Sequence, residues 1–218
     1  MENEPNIIIA ECNSISRLGL KILCQQTLPN PTIHEVTTLS DLYKTLKTSK
    51  FDLLILDLFL DHNNILSALP ELLSFQPALN ILVTSQASEN IYCNRVLKEG
   101  AKGYINKTEE SQHFELAIKR VCYGNYYISQ DHYIQSLNQI EKKANTKNPF
   151  ESLSNKEIEI VFYMLEGMST TEISEKTRLA VSTISTYKMR IFTKLDIHNL
   201  MSLIELAASY EIHKSQFQ

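Results

Sequence analysis

Four polar residues end short apolar runs in the first half of the chain. Glu11 follows Ile7-Ile8-Ile9-Ala10, Asp57 follows the run from Phe51 to Leu56, Thr84 follows Ile81-Leu82-Val83, and Lys107 comes just after Gly103-Tyr104-Ile105. A carboxylate ending a buried apolar run is expensive without a partner or a metal. Asp57, which interrupts the richest apolar stretch (Leu53 to Leu60), is therefore the residue to explain. A carboxylate on which a hydroxyl and an ammonium converge suits phosphoryl chemistry: Asp57 attacks, while Thr84 and Lys107 bind oxygens of the transferred group. A different chemistry is suggested near the other end. From Lys176 to Lys194 the chain carries Lys176, Arg178, Lys188, Arg190 and Lys194 and no acid, whereas Glu151, Glu157, Glu159, Glu166 and Glu172 precede it. Such polarity gives one positive face, as a polyanion requires.

The elements that must position these residues follow from hydrophobic spacing. The apolar runs, with Thr32 to Thr38 among them, are strand-sized, and several are continuous instead of alternating, as in parallel strands covered on both faces. The segments 15–27, 40–49, 64–74, 88–99 and 109–123 have helical spacing, for example Leu18 with Ile22 and Leu42 with Leu46. Parallel strands need helical crossovers, so the first half is expected to be an α/β unit of the (βα)5 type, with its site at the carboxyl ends of the strands. Residues 124–149 turn to Asn, Gln, Ser and Lys, the composition of a linker, most clearly from Lys142 to Pro149. Beyond them only helices are expected. Ser154-Asn-Lys-Glu157 has capping-box spacing for a helix to about Glu166, a short helix runs to about Lys176, a third spans 182–194, and a fourth 199–210. In the third, Ile184, Ile191 and Leu195 share one face and pack inward. The opposite face keeps Ser182, Ser185, Thr186, Met189 and Thr193 for base edges, flanked by Thr183, Tyr187, Lys188, Arg190 and Lys194 for phosphates. The expected domains are 1–123, a linker over 124–149, and 150–218.

Composition bounds the function classes. The chain has 218 residues, 43% hydrophobic and 21% charged, enough apolar material for two modest cores. Its net charge of −4 would argue against nucleic acid if spread evenly, which it is not. No apolar run approaches the roughly 18 residues of a membrane span. The start, Met1-Glu-Asn-Glu-Pro5, carries acids where a secretory signal carries lysines, so a cytoplasmic protein is expected. Cys12, Cys24, Cys93 and Cys122 form no CxxC pair and are expected to be reduced; a buried, inert thiol is the plainer reading of Cys12. The six histidines share no ligand spacing and are assigned to surface or turn roles. Tyr123, Tyr126, Tyr127 and Tyr133 are expected to pack against the partner domain.

At this point the chain resembles known families. Residues 6–123 resemble the receiver domain of two-component response regulators, and Arg17-Leu18-Gly19 with the stretch Gly100 to Lys107 resembles its NarL/FixJ subgroup. The resemblance implies a flavodoxin-like (βα)5 fold, Asp57 as phosphoacceptor, Thr84 as switch hydroxyl, Lys107 as phosphate-binding lysine and Tyr104 as switch aromatic. It also implies a magnesium ion held by an acidic pair after the first strand and by Asp57. Here that pair is Glu11-Cys12, and a thiol is a poor ligand for hard magnesium. Glu11 and Asp57 are left as weak metal ligands, with Asp61 as a partial substitute. The usual Met-Pro-Gly turn after the phosphoacceptor is also missing from Leu58-Phe-Leu-Asp61. The run from Leu153 to Leu195 resembles the LuxR-type four-helix helix-turn-helix domain, which makes Ser185, Thr186 and Met189 base-contacting and Lys188 and Lys194 backbone-contacting. Ala180-Val181 stands where relatives carry a capping hydroxyl, so Ser182 or Thr183 is expected to cap the helix instead.

The function expected is a dimeric, sequence-specific regulator of transcription, not an enzyme, with double-stranded DNA as partner. Leu203, Ile204 and Ala207 of the last helix are assigned to a two-fold contact. A sensor histidine kinase or another regulatory protein is the expected input partner. The receiver is expected to be atypical, with impaired phosphorylation and at most a weakly held Mg2+. The alternatives are a conventional regulator switched at Asp57 and, remotely, a flavodoxin-type enzyme, which would need a glycine-dense phosphate loop after the first strand.

Overall fold

A computed structural model describes residues 4–62, 64–134 and 148–210, together with Ile212. The described residues fall into two compact units that divide after 134. In the first, strands β1 (Asn6–Ala10), β2 (Thr32–Val36), β3 (Leu53–Asp57), β4 (Asn80–Ser85) and β5 (Gly103–Asn106) alternate with helices α1 (Ser14–Thr27), α2 (Leu39–Thr48), α3 (Leu69–Phe75), α4 (Glu89–Lys98) and α5 (Ser111–Cys122). The sheet order is β2-β1-β3-β4-β5, every pairing parallel. This is the expected flavodoxin-like α/β fold. Ile7, Ile8, Ile9, Leu53, Leu54, Ile55, Leu56, Ile81, Leu82 and Val83 are fully buried, which explains why the central strands read as unbroken apolar runs. The edge strand β2 is mostly exposed and correspondingly polar.

Two parts of this unit differ from expectation. The helix expected over 64–74 shrinks to α3, preceded by 3-10 turns at Leu60–His62 and Leu66–Ala68. Pro70 sits in the first turn of α3, where its missing N–H is harmless and its fixed φ favours helix initiation. Residues 124–134, expected in the linker, belong to the first unit. Tyr127 is buried and pairs with Gly103 in parallel. Its carbonyl lies 3.2 Å from where a Cβ on Gly103 would stand, and side-chain atoms of Leu82 and Val121 lie at 2.9 Å, so a larger residue there would push against this extra strand-like segment. Tyr127 therefore belongs to its own unit's core, while Tyr123, Tyr126 and Tyr133 are exposed. The most linker-like residues, 135–147, lie outside the described residues.

The second unit is helical: a 3-10 turn at Pro149–Ser152, then α6 (Asn155–Leu165), α7 (Thr170–Thr177), α8 (Val181–Leu195) and α9 (Leu200–Ser209). Capping boxes open α6 (Ser154 with Glu157) and α7 (Ser169 with Glu172). Phe150, Ile158, Val161, Ile173, Ile184, Ile191, Leu195, Leu203 and Ala207 form its core. Leu203 and Ala207, expected at a two-fold contact, are thus consumed by internal packing; α9 exposes Leu200 and Met201 instead. No described helix is long and apolar enough to cross a membrane.

Since Ile55 is fully buried in the central strand, Ile55→Ala should cost about 2–5 kcal/mol. Urea denaturation followed by circular dichroism measures this; a loss below about 1 kcal/mol would mean that the face of β3 carrying Ile55 is not closely packed.

Candidate phosphoacceptor cleft and nucleic-acid interface

The parallel topology brings together the carboxyl ends of β1, β3, β4 and β5. Asp57 is the last residue of β3 and pairs in register with Thr84 of β4; Glu11 follows β1 directly and Lys107 follows β5. Glu11 is 1% and Asp57 7% exposed. Lys107 joins them: its Nζ donates to Glu11 Oε2 at 2.6 Å and to Asp57 Oδ2 at 2.9 Å. The N–H groups of Asn13 and Phe59 donate to Glu11 Oε1 (2.8 Å) and Asp57 Oδ1 (3.2 Å), so each acid also has a backbone donor. The Lys107 N–H itself donates to the Ser85 carbonyl at 2.7 Å, fixing the loop after β5. Burial alone would lower the Lys107 pKa, but Asp57 and Glu11 more than offset it and hold the ammonium above its ordinary range.

Thr84 is fully buried, and its Oγ1 has no hydrogen-bond partner among the described residues. Tyr104 is buried too, and its hydroxyl donates to the Ala87 carbonyl at 2.5 Å. Burial pushes that phenol well above its usual range. Cys12, expected to be buried, is exposed. The chain turns outward there to begin α1, whose cap Asn13 accepts from the N–H groups of Ile15 and Ser16. Ligand atoms of Glu11, Cys12 and Asp57 nevertheless lie within 4.8 Å of one another. Asp61 is outside this group, exposed, and in a left-handed conformation (φ 52°). Residue types alone did not reveal Arg17 as a support: its guanidinium donates to the carbonyls of Glu11 (2.8 Å) and Cys12 (3.2 Å) and pairs with Glu35 at 3.1 Å. Its position one turn into α1 is the only sequence signal for that role.

On α8 the expected faces are in place. Ile184, Ile191 and Leu195 point inward, while Ser182, Ser185, Thr186, Met189, Arg190 and Thr193 are exposed and Thr183, Tyr187 and Lys188 half-buried. The hydroxyls of Ser185, Thr186 and Thr193 donate back to the carbonyls of Val181, Ser182 and Met189, leaving their oxygens as acceptors towards solvent. Neither Ser182 nor Thr183 caps the helix. It starts at Val181 with Ala180 as a cap that makes no side-chain bond, because both hydroxyl residues are already inside the first turn. Lys188 Nζ donates to Thr170 Oγ1 at 3.2 Å, a bond to α7. Lys194 stands apart from the other cations: its ammonium pairs with Glu157 of the α6 capping box at 2.6 Å. Burial alone would raise the Glu157 pKa, but Lys194 and the Ser154 N–H and hydroxyl hold it below the usual carboxylate range.

A sheet of this order with an acid, a hydroxyl and a lysine at its carboxyl edge defines a receiver domain, and the helical unit carries an exposed helix of mixed polar and cationic character. Residues 7–119 match the response regulator receiver domain, and residues 151–207 match the bacterial regulatory proteins of the luxR family. The chain belongs to the response regulators that join these two domains, DNA-binding transcription regulators and not enzymes. It is 29% identical to the Fimbriae Z protein of Salmonella typhimurium, covering 95% of this chain and 98% of that protein. It is equally similar, at 29%, to the response regulator UvrY of Escherichia coli, over 93% of both. Among solved structures it resembles RcsB of Salmonella enterica serovar Typhimurium bound to the rprA promoter with the phosphomimetic BeF3-, with a TM-score of 0.61 and 21% identity, covering 95% of this chain and 99% of that one.

Lys107→Met would leave two buried carboxylates without their shared cation, and should destabilise the chain by about 3–5 kcal/mol at neutral pH. In the parent, because the Lys107 pKa is raised, its stabilisation is complete below the ordinary value of 10.5 and declines as pH rises through the raised folded value. Urea titrations of both proteins from pH 7 upward should show a constant gap below pH 10.5 that narrows only above it; no gap at neutral pH would mean that the triad contributes nothing.

Proposed function

We propose that the chain acts in the cytoplasm as a dimeric, sequence-specific regulator on double-stranded DNA, reading it through α8, and that its receiver is degenerate, with phosphorylation of Asp57 impaired and not required for DNA binding. The observation that carries this is the Lys107 ammonium already bridging Glu11 and Asp57, with Cys12 as the third metal-facing group. Phosphoryl transfer accumulates negative charge beside Asp57, which a divalent ion in a carboxylate-lined site offsets. Two hard oxygens and a thiol do not fit a tight magnesium site. Glu11 and Asp57 would hold such an ion weakly, and Asp61, exposed and outside the cluster of Glu11, Cys12 and Asp57, does not replace the missing acid. Input then comes from a partner that prefers one arrangement of the receiver, a kinase or another regulatory protein.

The exposed stripe of Ser182, Ser185, Thr186 and Met189 follows i, i+3, i+4, i+7 spacing and presents acceptors and one apolar tip to base edges. Met189 is 68% exposed, a position for a large apolar side chain that favours a thymine methyl as its partner. Thr183, Tyr187, Lys188 and Arg190 flank the stripe for phosphates, joined by the uncapped N–H groups at the start of α8. Lys194 contributes to the field but is held by Glu157. For dimerisation, exposed Leu200 and Met201 on α9 offer apolar surface next to this helix.

Lys188→Ala should weaken binding to all duplexes and lower the salt slope by about 1, whereas Met189→Ala should change preference among sites by about 1 kcal/mol. Fluorescence anisotropy across a salt series distinguishes these effects, and parental binding by both variants would exclude α8 as the reading helix. For the receiver, Asp57→Ala should keep operator affinity within about threefold, and Cys12→Asp should strengthen magnesium binding in a calorimetric titration. Rapid magnesium-dependent labelling of Asp57 by a small phosphodonor, with operator affinity rising tenfold or about 1.4 kcal/mol, would instead establish a conventional phosphorylation switch.

A further inference from the structure

Away from the phosphoacceptor cleft, Glu89 and Cys93 of α4 and His132 bring a carboxylate oxygen, a sulfur and an imidazole nitrogen within 4.8 Å of one another. We infer that these three residues form a binding site for a zinc-class divalent ion. Glu89 and Cys93 are one helical turn apart and share a face. His132, assigned to the surface from sequence, is only 6% exposed, and Cys93 is fully buried. His132 comes from the helical residues 130–134 that follow the strand-like segment around Tyr127.

The surroundings support ligation. Ser129 donates twice to Glu89, from its hydroxyl to Oε2 at 2.6 Å and from its N–H to Oε1 at 3.2 Å. The same hydroxyl accepts the His132 N–H at 3.1 Å. Ser129 thus fixes the carboxylate and the turn carrying the imidazole together, as an outer-shell residue of a metal site does. One nitrogen, one sulfur and one carboxylate oxygen suit zinc or its first-row neighbours, not magnesium or calcium; three protein ligands leave a fourth position for water. Tetrahedral bonds of about 2.0–2.3 Å place donors roughly 3.3–3.7 Å apart, so an ion needs the cluster to close by no more than about 1.5 Å. Burial, and then the charge of Glu89, hold the Cys93 thiol above its ordinary range. Coordination therefore forms the metal–sulfur bond with release of the thiol proton to solvent. The ion would fasten residues 129–132 to the first turn of α4, beside Ala87 and the buried Tyr104 hydroxyl.

The test is titration of the full-length, reduced chain with Zn2+ and Co2+. One equivalent of Co2+ should give a sulfur-to-cobalt charge-transfer band that zinc displaces, with about one proton released per ion. The band should survive Cys12→Ser and vanish in Cys93→Ser and in His132→Asn. Ser129→Ala, which removes no ligand and alters a side chain outside the core, should weaken zinc binding about 10–100-fold and keeps the test informative if a core variant fails to fold. Loss of the band in Cys12→Ser with retention in Cys93→Ser would overturn the assignment in favour of the phosphoacceptor cleft. So would the absence of the band in the parent, or unaltered zinc affinity in Ser129→Ala.

Discussion

One ammonium between two buried carboxylates is the constraint around which the first unit is organised. Lys107 is 96 residues from Glu11 and 50 from Asp57 in sequence, and only a sheet that places β1, β3 and β5 ends on one edge brings them together. Leaving either acid in that place without the lysine would cost several kcal/mol, about as much as a large core truncation. The backbone donors at Asn13 and Phe59 and the Arg17 guanidinium on the β1–α1 turn hold the rest of the geometry. The formal charge of the triad is still negative, so a cation is attracted to it. On the proposed reading, Cys12, which clusters with the two acids, makes that attraction weak for a hard ion.

The helical unit solves a different electrostatic problem. A chain of net charge −4 can approach DNA only if its acids are turned away from the contact helix. Glu157 and Glu172 are folded into capping boxes, each accepting from backbone N–H groups, and Glu157 is further neutralised by Lys194. Two of the acids that precede α8 are in this way used to start helices. The same arrangement pairs Lys194, one of the cations expected at phosphates, with Glu157, a contact that residue types alone do not disclose.

The sequence carried the strands, their order of appearance and the faces of α8, because unbroken apolar runs and 3.6-residue spacing respond directly to burial. It did not carry contacts made across distance by polar residues. Residues 124–134 read as linker because their attachments, the buried Tyr127 and His132 and the Ser129 bonds to Glu89, follow no helical or strand-like apolar pattern. His132 shares no sequence spacing with Cys93 or Glu89, which lie about forty residues earlier, and so read as a surface histidine. Cys12 read as buried because it adjoins a buried strand, yet the strand ends at Ala10 and the chain leaves the core within two residues. The shortened α3 was hidden by apolar residues that serve 3-10 turns as well as they serve a helix.

Tyr104 and Thr84 bear on how such a receiver would be switched. The aromatic is already inside, its hydroxyl bonded to the Ala87 carbonyl, while the Thr84 hydroxyl lies buried without a protein partner among the described residues. A buried hydroxyl left this way costs about 1–3 kcal/mol, which an incoming phosphoryl oxygen would recover. That recovery can drive a switch only if the two arrangements of Tyr104 differ in how they present Thr84 to the phosphate; a ligand that binds both equally shifts nothing. The inward arrangement is held by its own hydrogen bond to Ala87. On the proposed reading, a partner bound to this face needs only to retain or displace Tyr104, and the chemistry at Asp57 becomes dispensable before the fold that surrounds it does.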